Sequence, residues 1–164
     1  FLPMGLYSIF WVRELGATEA WVGWRATVEN VALTVGFYAW GRITSRRGHL
    51  LAFVAGTAGM GVATLLTAVA TRQTLAILFP AALIGGFFYT GFEVSSFEWM
   101  LQIMPEGERP RYVAMNTALM NLVAFAVPMA GAACAEWAGI RAVLVASGLC
   151  FFASAALAMR FRTS

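Results

Sequence analysis

The sequence predicts an all-α membrane protein, a multi-helix transmembrane bundle, and three observations carry that prediction. Charged residues make up 12% of the chain and the mean hydropathy is +0.74, whereas a soluble domain carries about 25% charge. The apolar residues come in continuous blocks: Leu50 to Ala70, Thr74 to Phe92, Tyr112 to Ala135 and Ala142 to Met159 contain no charged residue. Each block meets or nearly meets the roughly 20 apolar residues that a helix needs to cross a bilayer core. Continuous runs argue against a membrane barrel, whose strands alternate with a period of two. Helices are then the form that satisfies the backbone in lipid.

The elements follow in chain order. Residues 1–12 are apolar but too short to span, with neither an initiator Met nor the basic lead of a signal peptide. They read as the tail of a helix whose beginning lies outside the chain, and the chain as a fragment. Residues 20–41 are long enough to span but hold Arg25 and Glu29. Spans are then expected over 50–70, 74–100, 112–135 and 141–159, giving five spanning helices and one partial helix. Pro128 lies inside the fourth of these full spans and is expected to kink it. The connections are short: RELGATE, RITSRRGH, TRQT, the longer PEGERPR, and a few residues around Gly139. No linker, low-complexity tract or soluble domain interrupts them.

Arginine sets the orientation, because the chain has no Lys and no Asp. Alternate loops fall into two sets: Arg42, Arg46, Arg47, Arg109, Arg111, Arg160 and Arg162 in one, and Arg13, Arg72 and Arg141 in the other. The richer set is expected on the cytoplasmic side, where it meets anionic lipid heads. The net charge of +3 then needs no nucleic-acid partner. Cys134 and Cys150 both fall in apolar helix, where a free thiol behaves as a small hydrophobe.

The stretch GRITSRRGHL, residues 41–50, places Gly41, Arg46 and Gly48 as Gly-x-x-x-x-Arg-x-Gly between two spans. This pattern resembles the signature loop of the major facilitator superfamily, roughly Gly-x-x-x-Asp-Arg-x-Gly-Arg-Arg, found after the second and the eighth helix. Ser45 stands in place of the Asp, and His49 and Leu50 replace the trailing basic pair. RELGATEAWVG is similar to the family's outer loop entering helix eight, and MPEGERPRYVAMNTALMNL to the inner loop entering helix eleven. The resemblance covers the whole chain. It implies the C-terminal six-helix half of a transporter, helices 7 to 12 with helix 7 truncated, partnered by a missing N-terminal half. It also implies a gating loop at Gly41, Arg46 and Gly48. The loss of the Asp removes the basis for the charge relay of the family's intact loop, and a topology anchor would need only the arginines.

Intramembrane polar groups are costly and mark function by default. Glu29 and its neighbour Asn30 are such groups, with Arg25 four residues earlier on the same helix face and able to form a structural ion pair. Tyr89, Glu93 and Ser96 form a polar stripe near the end of the 74–100 span, with Glu98 close by, which would also suit an interfacial rim. Asn121 shares a face with Thr117 in the 112–135 span. Amides of this kind also join helices by hydrogen bonds. The substrate or proton-coupling candidates are therefore Glu29, Asn30, Tyr89, Glu93 and Asn121. The glycines of AGTAGMG and Gly85, Gly86 and Gly91 read as places where helices come close.

The function expected is a secondary active transporter of a small solute working by alternating access, without cofactor or metal, in the bacterial inner membrane. An integral-membrane enzyme would need clustered acid, base or metal ligands, and the chain offers one His, no Asp and two separated Cys. A non-transporting scaffold would have no need of acids at membrane depth. For topology, single cysteines at Arg46 and in the C-terminal tail should resist an impermeant maleimide on intact cells. Cysteines at Glu14 and Arg72 should react, and labelling of both sets from outside would refute the assignment.

Overall fold

The computed structural model describes Tyr7 and residues 10–160, apart from the side chain of Glu106. A π-helical turn, Phe10–Glu14, leads into five long helices: α1 (Glu19–Arg47), α2 (His49–Val69), α3 (Leu78–Ile103), α4 (Arg109–Ala138) and α5 (Ile140–Arg160). Single 3-10 turns, Leu75–Ile77 and Glu106–Glu108, precede α3 and α4. The described residues contain no strand. Most of the expected partial span, residues 1–6, 8 and 9, lies outside the described residues.

Four helical stretches are long and apolar enough to cross a membrane: His49–Val69, Leu75–Ile103, Arg109–Ala138 and Ile140–Arg160. The helix of the expected 20–41 span, α1, is not among these four. α1 has 29 residues, about 43 Å of helix, but Glu19, Arg25, Glu29, Arg42, Arg46 and Arg47 dilute its apolar content.

Helix ends are set by caps rather than by charge. Thr18 caps α1, its hydroxyl accepting from the Trp21 amide. Gly48 and Gly139 each stop one helix and start the next in a single residue. Both have φ of 83°, a left-handed conformation that only glycine adopts without strain. Their amides bond back to the Thr44 and Ala135 carbonyls. The helix of residues 109–138 continues through Pro128 without a break.

α3 is the central element. It packs along α1 on one side and α2 on the other, and α2 in turn packs on α5. Helices gain little from hydrophobicity against one another in lipid, so small residues that admit close approach decide the packing. A Cβ on Gly56 of α2 would stand 2.5 Å from the Phe92 nitrogen of α3, and one on Gly86 of α3 would stand 2.7 Å from the Glu29 carbonyl of α1. Gly61 and Gly148 make the corresponding approach between α2 and α5. α4 is the exception, with α5 as its main neighbour and Gly131 its only buried residue.

The largest apolar cluster sits at one end of the bundle, where Phe10, Trp11, Leu15, Ala68, Leu78 and Leu144 come together. Arg72 Nε donates to the Glu14 carbonyl at 2.9 Å, and Arg141 lies 3.8 Å from the Glu14 carboxylate and donates to the Ala70 carbonyl at 3.1 Å. The arginine-poor loops therefore share that end, and His49, Glu98 and Gln102 meet at the other.

Close approach makes a sharp prediction. Gly56→Ala should destabilise the protein by about 1–3 kcal/mol, as overpacking does, and lower the melting temperature in detergent. Gly85→Ala, whose Cβ would meet only the Ala63 methyl at 3.4 Å, should leave it nearly unchanged.

Candidate functional site

The polar centre of the bundle is built on α1. Residues four apart on a helix face one another, and Arg25 Nη1 donates to Glu29 Oε2 at 2.7 Å. The two ends of the pair differ in access: the Arg25 side chain is 9% exposed and that of Glu29 36%. Arg25 is held from above, its guanidinium carbon 3.9 Å from the centre of the Trp11 ring, a cation–π contact that strengthens when desolvated. Trp11 in turn stacks on Tyr7 at 5.5 Å, and the Tyr7 hydroxyl lies 3.2 Å from Thr64 Oγ1 on α2. Arg25 does not reach out to the membrane surface. It is locked in the interior, while Glu29 faces accessible space.

A groove of about 350 Å³ lies between α1 and α3, lined by Val31, Ala32, Val35, Leu83, Ile84, Phe87 and Phe88 and not by Glu29. Ala32 and Glu29 both meet Gly86 of α3, Glu29 through its carbonyl and Cγ, so the turn that carries the ion pair packs against α3. Trp40 closes the α1–α3 contact beyond it. Its indole Nε1 donates to the Phe87 carbonyl at 2.9 Å, and Thr90 Oγ1 donates to the same oxygen at 2.7 Å.

The other expected site residues are not gathered here. Asn30 is exposed and turns back on its own helix, donating to the Ala26 carbonyl at 2.8 Å. Tyr89 and Glu93 are exposed on α3, and the Ser96 hydroxyl on the same stripe is buried without a partner. Asn121 is exposed on α4, and Thr117 beside it bonds the Val113 carbonyl of its own helix. Neither Asn30 nor Asn121 joins two of the central helices; the amide that does is Gln102 of α3, against the His49 ring of α2. Among the described residues no group of three His, Cys, Asp or Glu side chains is placed to hold a metal.

The whole chain, residues 1–164, matches the sequence profile of the Major Facilitator Superfamily. The chain belongs to that superfamily. No curated protein and no solved structure gives a match.

In this facilitator-superfamily chain the GRITSRRGHL stretch is not a loop. α1 runs to Arg47 and carries Gly41, Arg42, Ser45 and Arg46 as helical residues. Gly41, expected in a gating loop, lies within the helix instead: it is exposed, and a Cβ there would meet nothing within 4 Å. Ser45, in the position of the family's Asp, bonds the Arg42 carbonyl of its own helix at 2.9 Å. The turn is made by Gly48 alone. Arg46 is exposed, and no acid among the described residues pairs with it. At the same junction, His49 meets Glu98 and Gln102 of α3.

Sequence reasoning found the Arg25–Glu29 pair from its spacing. It missed Trp11 over Arg25, Tyr7 on Thr64, and Trp40 on the Phe87 carbonyl. A buried indole N–H usually finds a partner, so the tryptophan at the end of the expected 20–41 span was the available signal for Trp40, although it does not name the acceptor.

Proposed function

We propose that this chain is the C-terminal six-helix half of a secondary active transporter that moves a small solute by alternating access. In this reading α1 to α5 are helices 8 to 12, residues 10–14 end helix 7, and α1 spans the membrane with Arg25 and Glu29 turned inward. α4, almost wholly exposed, meets the N-terminal half and offers it Thr117 and Asn121. The protein sits as a multi-pass protein in the bacterial inner membrane, with the arginine-rich end in the cytoplasm.

The observation that supports a solute class is the partly accessible Glu29 carboxylate, on the turn of α1 that packs against α3 beside the groove residue Ala32. The groove walls are apolar and aromatic, which suits a hydrophobic body, and Glu29 is the accessible half of a pair whose cationic half is locked. A cationic group on the solute, or a proton, would compete with Arg25 for that carboxylate. Competition of this kind couples occupancy to the arrangement of α1 against α3. The geometry therefore favours a hydrophobic cation, with a proton as the exchanging ion.

The test is charge removal at constant volume. Glu29→Gln in the intact transporter should weaken binding of the probe cation tetraphenylphosphonium by about tenfold, equivalent to ~1.4 kcal/mol, and abolish its concentrative uptake. The same change leaves the buried guanidinium with a neutral partner and should cost stability, by about 1–3 kcal/mol. The double variant Arg25→Gln with Glu29→Gln should recover the stability but not the uptake. Recovery of both would mean that the pair is only structural and would defeat the reading.

A further inference from the structure

His49 is the first residue of α2, directly after the Gly48 cap, and its ring reaches α3. Nδ1 lies 2.5 Å from Glu98 Oε2, and Nε2 lies 2.7 Å from Gln102 Nε2. The amide nitrogen of Gln102 can only donate, so Nε2 accepts and the ring proton sits on Nδ1, facing Glu98. The Nδ1 and Oε2 atoms are both shut off from water and neither has a hydrogen-bond partner, so the contact between them is an ion-pair approach. The side chains as a whole are only partly covered, at 26% and 37% exposure, so a proton can reach the ring.

The arrangement accommodates both charge states. A second proton on Nε2 requires an acceptor there, and Gln102, exposed and free to rotate, supplies its Oε1 when the amide turns over. The contact with Glu98 then becomes a charge-assisted bond, about twice as strong as a neutral one. Histidine is the side chain whose charge ordinarily changes between about pH 5 and 8. Among the described side chains the other charged groups at this end are Arg42, Arg46 and Arg47 on the last turns of α1, Glu108, Arg109 and Arg111 around the start of α4, and Arg160 at the end of α5. Glu98 is the only acid among the described residues that is paired with His49.

We propose that His49, Glu98 and Gln102 form a proton-operated latch that ties the start of α2 to the last turns of α3 at the arginine-rich end of the bundle. Protonation closes the latch. As pH rises and the imidazolium is lost, the charge-assisted bond weakens and the helix ends separate more often. The sign is fixed by the geometry, since the cationic ring is the form that Glu98 attracts.

Spin labels on Leu51→Cys and Ile103→Cys, in a Cys134→Ala, Cys150→Ala background of the intact transporter, report the separation by pulsed dipolar spectroscopy without any solute. Between pH 5.5 and 8 the ratio of open to closed distances should rise about two- to fivefold, the range for partly exposed ion pairs. His49→Arg, permanently charged, should stay closed at both pH values. His49→Gln and Glu98→Gln should show one pH-independent, more open distribution. An unchanged pH response in His49→Arg, or none in the parent protein, would overturn the proposal. Should the Gln variants fail to fold, the Arg variant alone still decides it.

Discussion

Close backbone approach along α3 is the constraint on which the bundle depends. Helices surrounded by hydrocarbon gain nothing from leaving it for another apolar surface, so their association rests on dispersion and on the few hydrogen bonds that cross between them. Both need short distances. Gly36 of α1 faces the Thr90 hydroxyl and Phe87 backbone, Gly56 of α2 faces Phe92, and Gly86 of α3 receives the Glu29 carbonyl. With those side chains absent, Trp40 can reach the Phe87 carbonyl at 2.9 Å. The aromatic rings then fill the remaining space at ordinary separations, such as Phe53 against Phe92 at 5.5 Å and Trp40 against Phe87 at 5.7 Å.

The same close packing governs how polar groups are carried. Thr44, Thr57, Thr67 and Ser95 are buried, and each hydroxyl bonds a carbonyl three or four residues earlier on its own helix. They are satisfied locally and bring no ligand chemistry. Arg25 is different because its charge cannot be satisfied by its own backbone. It needs Glu29, and it needs Trp11 to cover the face of the guanidinium. Its Nε–H is still without a partner. A buried charge with one bond short of complete is costly to keep, which is the physical reason to read this pair as working rather than ornamental.

Each end of the bundle is tied by a charge from a different loop. At the arginine-poor end, Glu14 collects Arg72 and Arg141, joining the turn before α1, the α2–α3 connection and the start of α5. At the other, His49 reaches Glu98 across the α2–α3 seam. The first tie joins a glutamate to two arginines. The second has a histidine where the superfamily's signature loop has a basic residue, so it acquires a dependence on protons. α4 is joined to the rest mainly through α5 and Gly139, which leaves its long face for contacts outside these residues.

The sequence by itself determined the class of fold, because a bilayer demands apolar length and that demand is written in consecutive residues. It determined the Arg25–Glu29 pair too, since a spacing of four fixes neighbours on a helix. It misjudged GRITSRRGHL, where charge suggested a loop, yet arginines continue a helix readily and only Gly48 has the backbone freedom to end it. The interhelical partners were beyond its reach. Trp11 over Arg25, Trp40 on Phe87 and His49 on Glu98 join residues 14, 47 and 49 positions apart. No local period relates such positions; they meet only once glycine contacts have set which helices touch and at what depth.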